Sequence, residues 1–193
     1  MKLPKKIEET IRDEAINLLE KGKPDWDIPH TLNAVRWIKK LSKHEGGDER
    51  ILVPAMYLHD TGYPILKMGY TYEDMIRSKK LHAKRGASNA KKILAAIGGF
   101  SRTEIEKIAY LIANHDKHTG LYSLDRKLVF EADGLAQIDW GKSRPNFDRK
   151  NRVKFLKKYF AEERGADRWH TETGKKYLKI LLKKAEEYNK NNP

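Results

Sequence analysis

Four histidines and two aspartates fall on the apolar side of their segments: His30, His59, Asp60, His82, His115 and Asp133. His59 follows Leu52 by seven residues and Met56 by three, and Asp60 follows Val53 by seven and Met56 by four. That spacing puts the adjacent pair on a buried helical stripe rather than a water-facing one. A carboxylate buried beside an imidazole needs a partner, because an unpaired charge in a core is costly. A metal ion satisfies both. Imidazole nitrogen and carboxylate oxygen, without thiolate, are donors suited to a first-row divalent transition metal. One buried histidine alone reads as an ordinary core residue. Six such residues on five consecutive helical segments read as a site.

The elements that must carry them are helices. Residues 5–21 form a first amphipathic segment, closed by Gly22 and Pro24. Asp27-Ile28-Pro29 reads as the start of a second helix that runs to about residue 44, with Pro29 in its first turn and His30 opening its core face. A third covers 49–60 and ends in the His59-Asp60 doublet, stopped by Gly62 and Pro64. Residues 61–79 carry Gly, Pro, Met and Tyr without period and read as an aromatic binding loop or lid. The fourth helix is expected over 80–97, with His82 on its stripe and Gly86 one turn later, where the missing side chain lets a neighbour approach closely. Ser101-Arg102-Thr103-Glu104 is a capping box that starts the fifth, which His115 ends. A sixth over 125–140 presents Asp133 on an apolar face, and two more follow at 146–163 and 171–189. No strand signal of useful length appears. The expected fold is all-α, a single domain of seven to eight helices spanning residues 1–193.

Composition narrows the function classes. The chain has 193 residues, 40 Lys and Arg against 27 Asp and Glu, a net charge of +13 and no cysteine. Disulfides and thiolate metal sites are excluded, which fits a reducing, cytoplasmic setting. Neither a signal peptide nor a transmembrane run is expected. The basic balance favours anionic partners such as nucleotides, phosphorylated metabolites or nucleic acid.

The spaced set resembles the HD-domain metal-dependent phosphohydrolases. The likeness rests on His30, the His59-Asp60 doublet with Gly62, the segment His82-Ala83-Lys84-Arg85-Gly86-Ala87, His115, and Glu131-Ala132-Asp133-Gly134-Leu135. It covers about residues 28–140, the expected metal-binding core. The resemblance implies an all-α HD-like bundle, one or two divalent ions (Mn, Fe, Co, Ni or Zn, with Mg as an alternative at a second site) and hydrolysis of phosphoester bonds. It assigns His30, His59, Asp60 and Asp133 to a first ion. His82 and His115, with Asp60 bridging, would hold a second ion, or bind phosphate and the attacking water where one ion is present. Asp60, His82 and His115 are thus the expected catalytic residues. Where many dinuclear members carry Lys three residues after the doublet's Asp, this chain has Tyr63. Gly62-Tyr63-Pro64 matches in letters a signature of the cyclic-dinucleotide branch, but it lies directly after the doublet and is read as coincidence.

Lys84, Arg85 and Lys117 flank these motifs and, with His118, are the expected substrate contacts, although in so basic a chain most cationic side chains are solvated surface. Three readings follow. The favoured one is a phosphohydrolase acting on a nucleotide or similar small phosphoester. The others are a metal-stabilised module binding nucleic acid through its basic surface, and a di-iron oxygenase on the same scaffold.

Overall fold

The computed structural model describes residues 2–63, 72–145 and 148–192. Helix α1 spans Lys5–Leu19, α2 Pro24–Glu45, α3 Glu49–Leu58, α4 Tyr72–Ile97, α5 Arg102–Asn114, α6 Leu124–Ile138, α7 Arg149–Lys154 and α8 Glu172–Asn191. A π-helical stretch, Phe155–Glu163, continues α7, and a short 3-10 turn, Ala166–Arg168, precedes α8. Among the described residues there is no strand, and no helix is long and apolar enough to cross a membrane.

The most apolar helix takes the centre. Every residue of α3 from Ile51 to Leu58 is buried, as expected for a helix that is hydrophobic all round. Helices α2, α5 and α6 pack against it, α4 lies along α5, and α8 packs on α6 and α2. Ile38, Leu41, Leu52, Met56, Ile108, Ile112 and Leu128 fill the space between them with no measurable exposure. The core-facing stripes thus bring the ends of α3 and α5 and the faces of α2, α4 and α6 to one point.

Three boundaries differ from expectation. Helix α2 begins at Pro24, not near Asp27: Lys23 is its N-cap, and the Asp27 side chain turns back to accept the Lys23 amide proton at 2.9 Å. Pro29 therefore lies inside the helix. Helix α4 begins at Tyr72 rather than near residue 80. The chain-breaking glycines and proline end at Gly69, and the Glu, Met, Ile, Arg and Lys beyond it are helix formers. The expected aromatic loop is correspondingly shorter, and its residues 64–71 lie outside the described residues. The seventh helix is regular only to Lys154 before it widens into the π form. The capping box at Ser101 and Glu104 forms as expected, with both reciprocal bonds present.

One buried carboxylate ties the last helix to the core. Glu131 on α6 accepts the backbone protons of His170 and Thr171 at 2.6 and 2.9 Å, and the Thr171 hydroxyl as well. Thr171 is the N-cap of α8. Because burial pushes the Glu131 carboxyl up, these donors, together with the helix N-terminus, supply what solvent would have given.

Candidate metal centre

The doublet His59-Asp60 sits where a regular helix would have split it. α3 ends at Leu58, and His59 is its C-cap. The turn that follows aims both side chains at the same point. Two glycines make that turn possible. A Cβ on Gly62 would collide with the backbone of α4 at His82 and Gly86, and one on Gly86 would come within 2.8 Å of the His59 carbonyl oxygen. The doublet's turn and α4 therefore meet backbone to backbone, which brings His82 against Asp60.

His30 Nε2 lies 3.2 Å from His59 Nε2, 3.4 Å from Asp60 Oδ2 and 3.2 Å from Asp133 Oδ1. His59 Nε2 lies 3.2 Å from the same Asp60 oxygen. The other Asp60 oxygen, Oδ1, faces a second group, 3.5 Å from His82 Nε2 and 3.6 Å from His115 Nε2, which are themselves 3.1 Å apart. All six residues expected from the sequence are buried and adjacent. Asp60 stands between the two groups with one oxygen turned toward each.

The donor chemistry fits a cation at each group. His59 Nδ1 lies 2.7 Å from the Met56 carbonyl, and His115 Nδ1 lies 2.7 Å from the Ile112 carbonyl. Each Nδ1 therefore carries the proton, and in the neutral ring each Nε2 turns a lone pair inward. Lone pairs facing carboxylate oxygens and one another repel unless a positive charge lies between them. Without metal, that charge is a proton. Burial alone would lower the His59 pKa, but Asp60 and Asp133 outweigh it and raise it well above the ordinary value. His115 is raised in the same way by Asp116 and Asp60 against its burial. Burial would raise both carboxyls in turn, yet His59 and His115 hold Asp60, and Arg164 and His30 hold Asp133, well below the usual carboxylate range.

Two residues at this centre escape the sequence reading. Asp116 follows His115, with its carboxylate 3.2 Å from His82 Nε2 and 3.7 Å from His115 Nε2. The signal was present, since His115-Asp116 is a second His-Asp doublet at a helix end. Arg126 secures its loop by donating to the carbonyls of Asn114, Lys117 and Thr119. The second is Arg164, a guanidinium with no measurable exposure. It donates to Asp133 Oδ2 at 2.7 Å and lies over the Phe130 ring at 4.2 Å. Gly134 makes room for it, because a Cβ there would strike the guanidinium. Gln137 also donates to Asp133, 3.1 Å from either oxygen.

A pocket opens over this cluster. His30, Asp60 and Asp116 form its floor, and Trp26, Tyr63, Trp140 and Phe155 its walls. Trp26 stacks on His30 at 7° and Tyr63 on His82 at 11°, so an aromatic ring backs one imidazole in each group. Lys84, Arg85 and Lys117 are exposed and do not line the pocket. The His118 ring packs near Phe130 and Tyr159 and does not line it either.

The HD-domain family profile matches residues 28–138. This chain belongs to the HD-domain family. No curated protein matches it. Among solved structures it is similar to a predicted HD superfamily hydrolase from an uncultured Thermotogales bacterium, with 20% identity, a TM-score of 0.59, and coverage of 96% of this chain and 88% of that one. It is also similar to YpgQ of Bacillus subtilis, with 15% identity, a TM-score of 0.62 and coverage of 96% and 92%. At these identities the two likenesses speak for the shared fold. HD domains bind divalent metals, and the two groups around Asp60 are suited to them.

Proposed function

We propose that this protein is a metal-dependent phosphohydrolase acting on a nucleotide or a phosphoester of similar size. The observation that carries the reading is the convergence of imidazole Nε2 atoms and carboxylate oxygens, in two groups sharing Asp60, on the floor of a pocket with aromatic walls. In this reading His30, His59, Asp60 and Asp133 hold one divalent ion, and Asp60, His82, His115 and Asp116 hold another. When bound, such ions supply Lewis acidity that polarises a phosphoryl oxygen and makes water a nucleophile at neutral pH. The protein's own groups do the rest. The Met56 and Ile112 carbonyls orient two imidazoles. Asp116, the ligand-set carboxylate most open to the pocket, accepts the proton of the attacking water. Trp26, Trp140 and Phe155 exclude solvent and offer faces for a nucleobase or another planar leaving group.

The test is hydrolysis of an aryl phosphoester and a nucleotide panel by protein loaded with Mn, Co or Ni, with and without chelator. The expected result is turnover that chelator abolishes and metal restores. Turnover indifferent to chelator, or none on any phosphoester, would count against the proposal.

A further inference from the structure

Phosphoester hydrolysis spreads negative charge over the phosphoryl, attacking and leaving oxygens, and a cationic side chain beside the metals adds to its stabilisation. The chain holds 40 Lys and Arg residues, yet among the described residues only Lys23 lines this pocket. Four cationic side chains are buried among the described residues, namely Lys23, Arg126, Arg152 and Arg164. Three of them serve the scaffold or the ligands. Arg126 binds the carbonyls of the loop after α5, Arg152 binds Asn189 and the Asn192 carbonyl at the end of α8, and Arg164 binds Asp133. Lys23 alone is beside the cavity, with 8% of its surface exposed.

Its surroundings hold the ammonium in place. Lys23 Nζ lies 3.4 Å from Asp27 Oδ1 and 4.6 Å above the centre of the Tyr63 ring. Tyr63 also stacks on His82, with ring centres 4.1 Å apart. One tyrosine thus touches both the lysine and an imidazole of the second group. An i,i+4 ion pair does not require burial, and on a surface it is worth little. Here the backbone supports it as well. The Asp27 amide donates to the Lys23 carbonyl at 2.7 Å, and Asp27 accepts from the Lys23 amide. This double link fixes the start of α2 with its lysine turned to the pocket.

We propose that Lys23 is the phosphate-binding cation of this pocket, held by Asp27 and Tyr63 so that its ammonium contacts a non-bridging oxygen of the substrate phosphate. A lysine suits the role as a compact charge that follows the phosphoryl group as its geometry changes. The inference rests on the hydrolase reading. It assigns that site an element which Lys84, Arg85 and Lys117 do not supply.

The experiment is calorimetric titration of inorganic phosphate into metal-loaded wild type, K23M and D27N, with metal content and melting temperature measured on the same samples. K23M keeps the hydrocarbon stem over Tyr63. We expect unchanged metal content and phosphate binding weakened about tenfold or more. A lysine that served only to cap α2 would be disturbed as much by losing Asp27. We therefore expect D27N, which keeps the ammonium but loosens its hold, to lower the melting temperature and to weaken phosphate binding by about threefold, less than K23M does. Should K23M lose its metal or fail to fold, K23R replaces it, and a preserved charge must then preserve phosphate binding within the same margin. K23M binding phosphate like wild type overturns the inference and leaves the hydrolase reading standing. Loaded wild type binding no phosphate and cleaving no phosphoester overturns both.

Discussion

The two His-Asp doublets are built alike and used differently. Each histidine is the C-cap of its helix, and each sets its Nδ1 2.7 Å from the carbonyl three residues earlier. The aspartates diverge. Asp60 has 8% of its side chain exposed and divides its oxygens between two groups of imidazoles, whereas Asp116 has 20% exposed and faces the pocket. Around Asp60 the first group is closed by Asp133, which Arg164 and Gln137 hold from behind. The group around Asp116 packs against Tyr63 and reaches the cavity through Asp116. One motif therefore gives a locked half and an open half. The locked half suits permanent retention of an ion, and the open half suits exchange, substrate contact and proton transfer.

The largest effect should come from breaking what the halves share. Asp60→Ala removes the carboxylate between them, and we expect loss of both metal equivalents and a fall in turnover of roughly a thousandfold or more, read by elemental analysis and aryl phosphoester hydrolysis. Wild-type turnover in this variant would falsify the bridging assignment. Next comes the locked half. Arg164→Met leaves Asp133 buried without its cation, which costs about 3–5 kcal/mol in metal-free protein. Loading with metal should recover much of that loss, because an ion at the first group replaces the missing charge. Denaturant melts with and without chelator measure the difference, and an equal loss in both states would mean that Arg164 serves packing alone.

Asp116→Asn tests the open half. It should release the more exchangeable ion, leave the other in place and slow turnover about 10–100-fold. If Asp116→Asn keeps two equivalents at unchanged affinity, the doublets are not functionally related. The smallest effect is that of pH. His59 and His115 carry raised pKa values without metal, so each must lose a proton to bind an ion. Asp60 and Asp133 are already ionised across neutral pH, their pKa values being depressed. Affinity should therefore climb as pH rises through the raised histidine range, with protons released on binding. Calorimetry in buffers of different ionisation enthalpy would reveal the release, and an affinity flat with pH would contradict it.

The comparison also explains which residues the sequence made legible. His30, His59, His82, His115 and Asp133 lie on apolar stripes, and helical periodicity finds such residues directly. Asp116 meets the same spacing, seven after Ala109 and four after Ile112, but it lies past the histidine read as the end of its helix. On a continuing helix it would point about 100° away from His115, but α5 stops at Asn114 and the turn swings both side chains inward. Asp60 occupies the equivalent position and was caught because it falls seven after Val53 and four after Met56, on the stripe of a marked apolar run. Arg164 reaches Asp133 from 31 residues away, out of a π-helical stretch whose pattern is neither that of an α-helix nor that of a strand. Lys23 reads as part of a turn, because Gly22 and Pro24 flank it. The all-α fold followed from stripes and caps, whereas the start of α4 was obscured by the glycine-rich stretch before it.

The most direct test of the account is elemental analysis of protein loaded with a divalent transition metal, then desalted. Two equivalents retained, with chelator stripping the open half before the locked one, is the predicted result. No retained metal would mean that protons alone satisfy the inward-facing imidazoles and carboxylates, and the site would not be a metal centre.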